Sequence, residues 1–472
     1  MKKSVLFAAA SVLLSLTSLF VNAQYTNLHN FSGAPDGSEP LGDLYSDGTW
    51  LYGTTHSGGE NSLGTIFKLM LDGTGYERVF NFSNAAGAHP NESLTSDATY
   101  LYGTTFLGGT DDFGTLYRIL KDGTAFETLL DFGSATTGRN PVGTPIFDGT
   151  WLYGVTRGGG ANSNGTIYKI KPDGSEYEMI FEFSGSNGFD SYGSLFYDGT
   201  WLYGMTRGGG TGPCTPSFCG VIYRLMPDGS NFTILHDFMG TDGNGPEGEL
   251  ISDGTFLYGM TTHGGTHDWG TIFKIMPDGS GFEKLHDFDV TSSNGALPTG
   301  SLVYDGIWLY GSSLWGGTES IGALFKIMPT GTNFTLLYSF TNESGFYPQG
   351  SPIINGTYLY GTTTVGGSGC PNDHGPSGCG VVLRYQYDSI IGIAEHEGRF
   401  FISPNPSPGL FTLTLPNTTA TICIYDVVGN CILTQQYIHT TPQIDLSTQS
   451  KGIYFVEVIT AGERAVRKVV VN

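Results

Sequence analysis

Two tryptophans and two histidines are the side chains of this sequence best suited to bind a ligand. The sequence contains a repeat in which one position is always aromatic. Of the six tryptophans, only Trp269 and Trp315 lie outside that position, and His263 and His267 come shortly before Trp269. An indole ring can stack on the apolar face of a sugar, while histidine side chains reach its hydroxyl groups. This group of residues predicts a carbohydrate-binding site.

Two positions vary freely inside a stretch that otherwise recurs almost unchanged, between LYGTT and Gly-Gly. The pairs are His56 and Ser57, Phe106 and Leu107, Arg157 and Gly158, Arg207 and Gly208, Thr262 and His263, Leu314 and Trp315, and Thr364 and Val365. If several copies contribute to ligand recognition, these variable positions are the ones that contact the ligand. His56, Arg157 and Arg207 are therefore further candidate ligand contacts. Other copies hold apolar residues at the position of Trp269, which leaves ordinary packing as its alternative role: Leu63, Phe113 and Ile321.

Signals for catalysis or for a cofactor are weak. The HxxxH spacing of His263 and His267 brings two metal ligands together on a helix, but HGGTH is a glycine loop, so we predict no metal and no cofactor. The sequence has no GxSxG, HExxH or phosphate-binding glycine loop and no EF-hand spacing. A glycosidase pair of carboxylates is defined by its separation in the fold, so the sequence leaves enzymatic activity open.

The net charge and the amino-terminal segment limit the kinds of partner and the location expected for the protein. Lys and Arg number 21 against 43 Asp and Glu, a net charge of −22, which argues against nucleic acid or an anionic membrane surface as partner. Residues 1–23 combine two lysines, a short apolar run and small residues before Gln24, the pattern of a secretory signal peptide. No later stretch has the roughly 20 apolar residues of a membrane-spanning helix. We therefore predict an exported monomer that does not span a membrane.

Seven copies of the tripeptide LYG mark a repeat of about 50 residues, a length typical of propeller blades. The glycines of these copies are Gly53, Gly103, Gly154, Gly204, Gly259, Gly311 and Gly361. Each of the first six copies reads as four short aromatic strands joined by Asp-Gly hairpins, and such a sheet buries both faces only between neighbouring copies in a ring. The predicted fold class is all-β, a seven-bladed β-propeller. The seventh copy lacks its last strand, so residues 25–31 (YTNLHNF) are predicted to supply it and to close the ring.

Recurring residues have structural explanations in this repeat. Aspartates recur at two hairpin turns, where Asp-Gly serves backbone geometry. The first set is Asp47, Asp97, Asp148, Asp198, Asp253 and Asp305, and the second is Asp72, Asp122, Asp173, Asp228 and Asp278. A recurring Lys or Arg lies nine residues ahead of a Glu or Thr in the first six copies, which predicts cross-strand pairs, and the recurring aromatic position predicts packing between blades.

The six cysteines of this exported chain are predicted to form three disulfides that stiffen loops. The predicted pairs are Cys214 with Cys219, Cys370 with Cys379, and Cys423 with Cys431.

The repeat resembles the GloVer tandem repeat of bacterial exported proteins. The Asp-Gly turn, LYGTT, Gly-Gly, GTIFKL and the closing strand match its pattern over residues 25 to about 387. The kelch propeller repeat also contains Gly-Gly, but the LYG and GTIFK strands fit it less well. The family is defined by its repeat, so the resemblance transfers no catalytic residues.

The end of the chain resembles the type A C-terminal sorting domain of the type IX secretion system. Its motifs include Pro404, Asn405, Pro406, Tyr425, Asp426, Gly429, Gly452, Tyr454 and Lys468. Alternating apolar strands in this region predict a small Ig-like β-sandwich. The resemblance implies contact with the type IX machinery, export across the outer membrane, and release or attachment at the cell surface.

The predicted domains are a signal peptide (1–23), the propeller (24–387), a linker (388–399) and the sorting domain (400–472). The function predicted is that of a binding or adhesion module with glycan as its ligand. A polysaccharide-degrading hydrolase or lyase on the same loops is the first alternative, and a structural surface protein is the second.

Overall fold

The structure is a computed structural model that describes residues 24–133, 135–212, 219–290, 294–368, 379–387, 401–404, 407–415, 420–426, 431–437, 441–460 and 463–471. The predicted signal peptide and linker, together with Cys214, Cys370, Asn405, Pro406 and Gly429, lie outside these residues. All named elements in the described part of the chain are β-strands.

Seven four-stranded antiparallel sheets form the blades, and the innermost strand of each comes first in the chain, after an initial strand β1 (Tyr25–Asn30). Blade 1 contains β2 (Tyr45–Ser46), β3 (Trp50–Thr55), β4 (Thr65–Met70) and β5 (Glu77–Asn81). Blade 2 contains β6 (Thr95–Ser96), β7 (Tyr100–Thr105), β8 (Thr115–Leu120) and β9 (Glu127–Asp131). Blade 3 contains β10 (Arg139–Phe147), β11 (Leu152–Gly158), β12 (Thr166–Ile170) and β13 (Glu178–Glu182).

The remaining blades follow the same order. Blade 4 contains β14 (Phe196–Tyr197), β15 (Leu202–Thr206), β16 (Val221–Leu225) and β17 (Thr233–Asp237). Blade 5 contains β18 (Ile251–Ser252), β19 (Leu257–Thr261), β20 (Thr271–Ile275) and β21 (Glu283–Asp287). Blade 6 contains β22 (Val303–Tyr304), β23 (Leu309–Ser313), β24 (Ala323–Ile327) and β25 (Thr335–Ser339). Blade 7 contains β26 (Ile353–Asn355), β27 (Tyr358–Thr363), β28 (Val381–Gln386) and, as its outer strand, β1.

The ring closes through the amino-terminal strand, as predicted. Strand β1 pairs antiparallel with β28, with Tyr25 opposite Tyr385, and the Phe31 amide donates to the Gly380 carbonyl at 3.0 Å. The Phe31 side chain is fully buried, in a cluster that joins blades 7 and 1. Closure therefore covers the sheet edge that an open ring would expose.

The LYG glycine makes room for an aromatic ring in the first six copies, whereas Gly361 of the seventh faces Leu383. A Cβ atom on Gly53 would come within 2.5 Å of the Phe67 ring on the facing strand. The Phe67 side chain thus lies against backbone that carries no side chain. Apolar side chains from neighbouring blades fill the space between the sheets. One such cluster unites Tyr203 of blade 4 with Phe273 of blade 5. Each fully buried Leu, Ile or Phe side chain contributes roughly 1.5–3 kcal/mol to folding.

Recurring Lys and Arg side chains connect successive blades at the end of each blade that carries the Asp-Gly turns, which we call the turn end. The Lys68 ammonium group lies 3.0 Å from the Glu77 carboxylate, 5.3 Å from the centre of the Trp50 ring and 3.5 Å from the Lys121 carbonyl of blade 2. Equivalent ion pairs confirm the predicted cross-strand pairing in three further blades: Arg118–Glu127, Lys169–Glu178 and Lys274–Glu283. The recurring aromatic residues thus pack in the clusters between blades, as predicted, and also lie beneath a cation.

The recurring aspartates shape turns, as predicted. Asp47 accepts from the amides of Thr49 and Trp50 at 3.1 and 2.8 Å, and Asp72 accepts from the amide and hydroxyl of Thr74. Hydrogen bonds from Thr74 hold the pKa of Asp72 below its usual range. Much of the negative charge therefore serves local backbone geometry.

A two-layer sandwich forms the last part of the chain. One sheet orders β29 (Phe401–Ser403), β30 (Leu410–Thr414) and β33 (Gln443–Asp445). The other orders β32 (Cys431–Tyr437), β31 (Ala420–Tyr425), β34 (Gly452–Thr460) and β35 (Glu463–Val471). Both sheets contribute to one core, which includes Phe411, Ile444, Ile424, Tyr454 and Val469.

The predicted disulfide between Cys423 and Cys431 is wrong. Cys423 is a free, buried thiol, and its sulfur accepts a hydrogen bond from the Thr434 hydroxyl at 3.7 Å. The register of β31 against β32 places Cys423 opposite Thr434 and Cys431 opposite Tyr425. Since disulfide geometry requires closely facing positions, this register separates the two cysteines.

Candidate functional site

The variable residues share one face of the propeller, which we call the loop face. It is formed by the loops that follow the second and fourth strands of each blade, because antiparallel strands bring these loops to the same end. Cross-strand pairs bridge the two loops, and their members vary from blade to blade. The pairs are Ser38–Ser57, Ala88–Leu107, Arg139–Gly158, Phe189–Gly208, Asn244–His263, Ala296–Trp315 and Phe346–Val365.

A second loop-face position, which we call the plug, lies two residues before the third strand of each blade. It is occupied by Leu63, Phe113, Asn164, Cys219, Trp269, Ile321 and Cys379. The plug carbonyl accepts from an amide at the start of the next blade, as from His89 to Leu63 and from Leu297 to Trp269, both at 2.9 Å. Six of these seven side chains are apolar or sulfur-containing, whereas blade 3 has an amide, Asn164.

Trp269 and Trp315 form an aromatic sector on blades 5 and 6. Their ring centroids are 6.2 Å apart with an interplanar angle of 30°. Trp315 is 40% exposed, whereas Trp269 packs against the core between the two blades. The structure therefore brings the two predicted tryptophans together, with one ring open to solvent and the other supporting it.

The histidines near this sector differ in their surroundings. His263 is half-buried and pairs through its backbone with Asn244. Burial lowers the pKa of His263, against the opposing charge of Asp268. His267 is exposed, and the Asp268 carboxylate accepts from the Gly264 amide at 2.8 Å, which makes it a loop-closing group. Within the described residues, no three His, Cys, Asp or Glu side chains are grouped to hold a metal ion.

The two predicted arginines join a charged network on blades 3 to 5. Arg157 Nε lies 2.5 Å from an Asp190 oxygen, Arg207 Nη1 lies 3.8 Å from the other Asp190 oxygen, and Arg207 Nε lies 3.0 Å from Glu247. Both guanidinium groups lie over the Tyr192 ring, at 5.3 and 5.7 Å from its centre. Burial acts to lower the pKa of Arg157, but the hydrogen bond and charge of Asp190 raise it overall.

Beside this network, a pocket of about 340 Å³ opens on the loop face. Its lining is Phe106, Arg139, Asn140, Arg157, Gly158, Ser163, Asn164, Phe189 and Asp190. We call Arg139, Arg157, Asp190 and Arg207 the cationic sector.

Sequence reasoning missed Arg139, Asn140, Asn164 and Asp190, although each varies within a constant repeat. Asn140 and Asp190 share a backbone position with φ of 52° and 55°, which turns the chain at the loop face. The same free variation that singled out Arg157 could have found them.

His56 is removed from both sectors. Its Nδ1 lies 2.5 Å from the Asn91 side-chain oxygen, and its ring is 4.5 Å from the His89 ring. Burial lowers the pKa of His56.

A central channel of about 200 Å³ is lined by residues that precede the innermost strands. Burial raises the pKa of Asp43 to about 6, of Glu92 to about 7 and of Glu249 to about 8, and the charge of Asp43 adds to the effect on both glutamates. Glycines beside them permit a narrow ring, because a Cβ on Gly193 would come within 2.0 Å of the Gly248 carbonyl. The channel therefore holds carboxyls that favour the neutral form.

Two loop-face plugs are cysteines. Cys219 and Cys379 are both buried and, being disulfide-bonded, do not titrate. Their predicted partners, Cys214 and Cys370, lie outside the described residues, so the pairing stays a prediction.

Family comparisons confirm both predicted resemblances. The Gloeobacter/Verrucomicrobia repeat model matches residues 71–214 and 215–375, which together make up more than half of the chain. The model of a secretion-system C-terminal sorting domain matches residues 402–472. No curated protein matches the sequence.

Two solved structures are similar to this chain at low sequence identity. An oligogalacturonate lyase in complex with manganese is 12% identical with a TM-score of 0.51, over 78% of this chain and 97% of the lyase. PorZ, a surface component of the type IX secretion system of Porphyromonas gingivalis, is 14% identical with a TM-score of 0.47, over 94% of this chain. The chain spans 60% of the length of PorZ. Similarity at such identity reports on fold and not on activity.

In the described part of the chain, no helix is long and apolar enough to cross a membrane.

Proposed function

We propose that this chain, which belongs to the Gloeobacter/Verrucomicrobia repeat family and ends in a secretion-system sorting domain, is an exported binding module for glycans. The sorting domain implies secretion or a cell-surface location, and contact with the secretion machinery. Residues 24–387 would form the binding unit and residues 400–472 the export signal, with residues 1–23 removed on export.

The exposed ring of Trp315 is the observation that carries this proposal. A tryptophan that is 40% exposed and stacked on a second indole at 6.2 Å offers a rigid, flat apolar surface. Such a surface suits the apolar face of a sugar, and neighbouring polar loops suit its hydroxyl groups. Because Trp269 supports the ring from beneath, Trp315 needs little ordering when a sugar binds.

Binding of the full chain to a broad glycan array, with and without Trp315→Ala, tests the proposal. We expect the substitution to abolish binding of the glycans that the native chain holds. Met239→Ala is the matched control, since Met239 is 48% exposed and lies in a loop after a fourth strand, yet belongs to neither sector. Absence of glycan binding at high protein concentration would contradict the proposal and favour a structural surface role.

A polysaccharide-degrading enzyme is the second candidate. The raised pKa of Glu249, about 8, keeps this channel carboxyl protonated at pH 7, the state that a general acid requires. Incubation of any bound glycan with the native chain and with Glu249→Gln separates the two candidates. Cleavage by the native chain that is lost in the variant would establish the enzyme.

A further inference from the structure

The pocket on blade 3 exists because one plug differs from the rest. Leu63 and Phe113 pack against the apolar clusters between blades, whereas the polar Asn164 lines the pocket. Within the part of the chain that the structure describes, its amide makes no hydrogen bond. The volume of about 340 Å³ falls in the range of small-ligand pockets, roughly 300–1,000 Å³.

Because Gly158 has no side chain, the guanidinium group of Arg139, which is paired with it across the bridge, can enter this pocket. Arg139 pairs with Gly158, and a Cβ on Gly158 would come within 2.7 Å of Arg139 Nε. Glycine therefore lets the guanidinium group lie flat over the backbone, 5.9 Å from the centre of the Phe113 ring. A side chain at position 158 would push the guanidinium group away.

The charge of Arg139 is not compensated within the described residues. Asp190, the acidic residue of the pocket lining, lies 2.5 Å from Arg157 and 3.8 Å from Arg207. Arg139 has no acidic partner there. The lining thus carries two guanidinium groups against one carboxylate, although the whole chain has a net charge of −22. Unpaired positive charge in a pocket of so acidic a protein indicates an anionic ligand.

We propose that this pocket binds the carboxylate of an acidic sugar, a uronic acid unit within a polysaccharide. The inference rests on the proposed function and names the ligand class for the cationic sector. The planar fork of Arg139 suits a carboxylate through two parallel hydrogen bonds. Asn164 and Ser163 can bond ring hydroxyls, and Phe106 and Phe189 supply apolar walls.

Oligosaccharides of galacturonic acid and their methyl esters form a matched pair of probes, because they differ in charge and not in ring structure. We expect the full chain to bind the free acid at least tenfold more tightly than the ester, measured by titration calorimetry. Arg139→Gln should remove this preference. Asn164→Leu restores the residue that blade 1 carries, so it should fold normally, fill the pocket and remove acid binding as well.

Lys171→Gln controls for overall charge. This substitution removes one positive charge from blade 3, as Arg139→Gln does, but at the turn end, where Lys171 lies over the Trp151 ring at 4.4 Å. Equal losses in Lys171→Gln and Arg139→Gln would attribute the preference to overall charge and overturn the pocket proposal. Equal affinity for acid and ester, with neutral glycans still bound through Trp315, would overturn it while the proposed function stands. Failure to bind any glycan would refute both.

Discussion

The aromatic and cationic sectors are built on the same backbone and differ in the side chains at two repeat positions. In blade 5 the plug is Trp269, which fills the loop and supports Trp315. In blade 3 the plug is Asn164, which leaves a pocket, and a glycine at the bridge admits Arg139. Under the proposed function, the ring fixes where a ligand would contact the protein, while the plug and bridge residues select the chemistry that the ligand would meet.

Opening the ring should disable both sectors together, with the largest effect. Deletion of residues 25–31 removes β1 and the buried Phe31 from blade 7, which exposes a sheet edge and an apolar cluster. We expect loss of cooperative unfolding by differential scanning calorimetry. Phe31→Ala is the graded variant, with an expected loss of about 3–5 kcal/mol. A deletion variant with unchanged melting would show that the ring does not depend on β1.

Substitutions at the plug position should change the free energy of unfolding by different amounts in the two sectors. Trp269→Ala removes a ring that packs between blades 5 and 6, so we expect a loss of about 2–3 kcal/mol, somewhat below the value for a fully buried tryptophan. Asn164→Leu should change the free energy of unfolding by less than about 1 kcal/mol, because blade 1 accommodates leucine there. Urea unfolding of the two variants measures both. Similar losses in the two would mean that the pocket is as tightly packed as the aromatic sector.

The carboxyls of the central channel should make stability depend on pH. Burial raises the pKa of Asp43, Glu92 and Glu249 to about 6, 7 and 8, so folding favours their neutral forms. Their contribution to stability is complete below about pH 4 and is lost as the pH rises toward 8. Each group lowers the free energy of unfolding by about 1.4 kcal/mol per pH unit between its unfolded and folded pKa values.

Melting temperatures at pH 5 and pH 8 check this sign. We expect the lower value at pH 8, and Glu249→Gln should reduce the difference because an amide does not ionise. Glu283→Gln, at the exposed turn end, is the control. A native chain that is more stable at pH 8 would show that water or counter-ions in the channel stabilise the ionised carboxyls.

The repeat, the blade number and the closing strand could be predicted because they depend on short-range signals. Strand alternation, Asp-Gly turns and the LYG glycine act within one blade, and the shortened seventh copy indicated where β1 belongs. The sorting-domain motifs were equally local. Trp269 and Trp315 lie in equivalent loops of adjacent blades, so their proximity could also be inferred from the repeat.

The cationic sector could not be predicted in the same way. Arg139 begins the first strand of blade 3 and Asp190 precedes the first strand of blade 4, and their contacts with Gly158 and Arg157 depend on the bridge register. Asn164 is informative only when compared with the plugs of six other blades. The Cys423–Cys431 pairing failed for a related reason, because proximity in sequence does not give the register of two strands.

Asp190→Asn gives the smallest expected effect and tests how the cationic sector balances its charges. The carboxylate lies 2.5 Å from Arg157 and 3.8 Å from Arg207, so it competes with any anionic ligand for both guanidinium groups. Removing its charge should tighten binding of galacturonic acid oligosaccharides by about threefold at low salt, equivalent to roughly 0.6 kcal/mol, and less at high salt because exposed charges are screened. Binding of neutral glycans at Trp315 should not change. Asp111→Asn, on an exposed loop of blade 2, is the control. Weaker acid binding in Asp190→Asn would mean that Asp190 orients Arg157 for the ligand more than it competes with it.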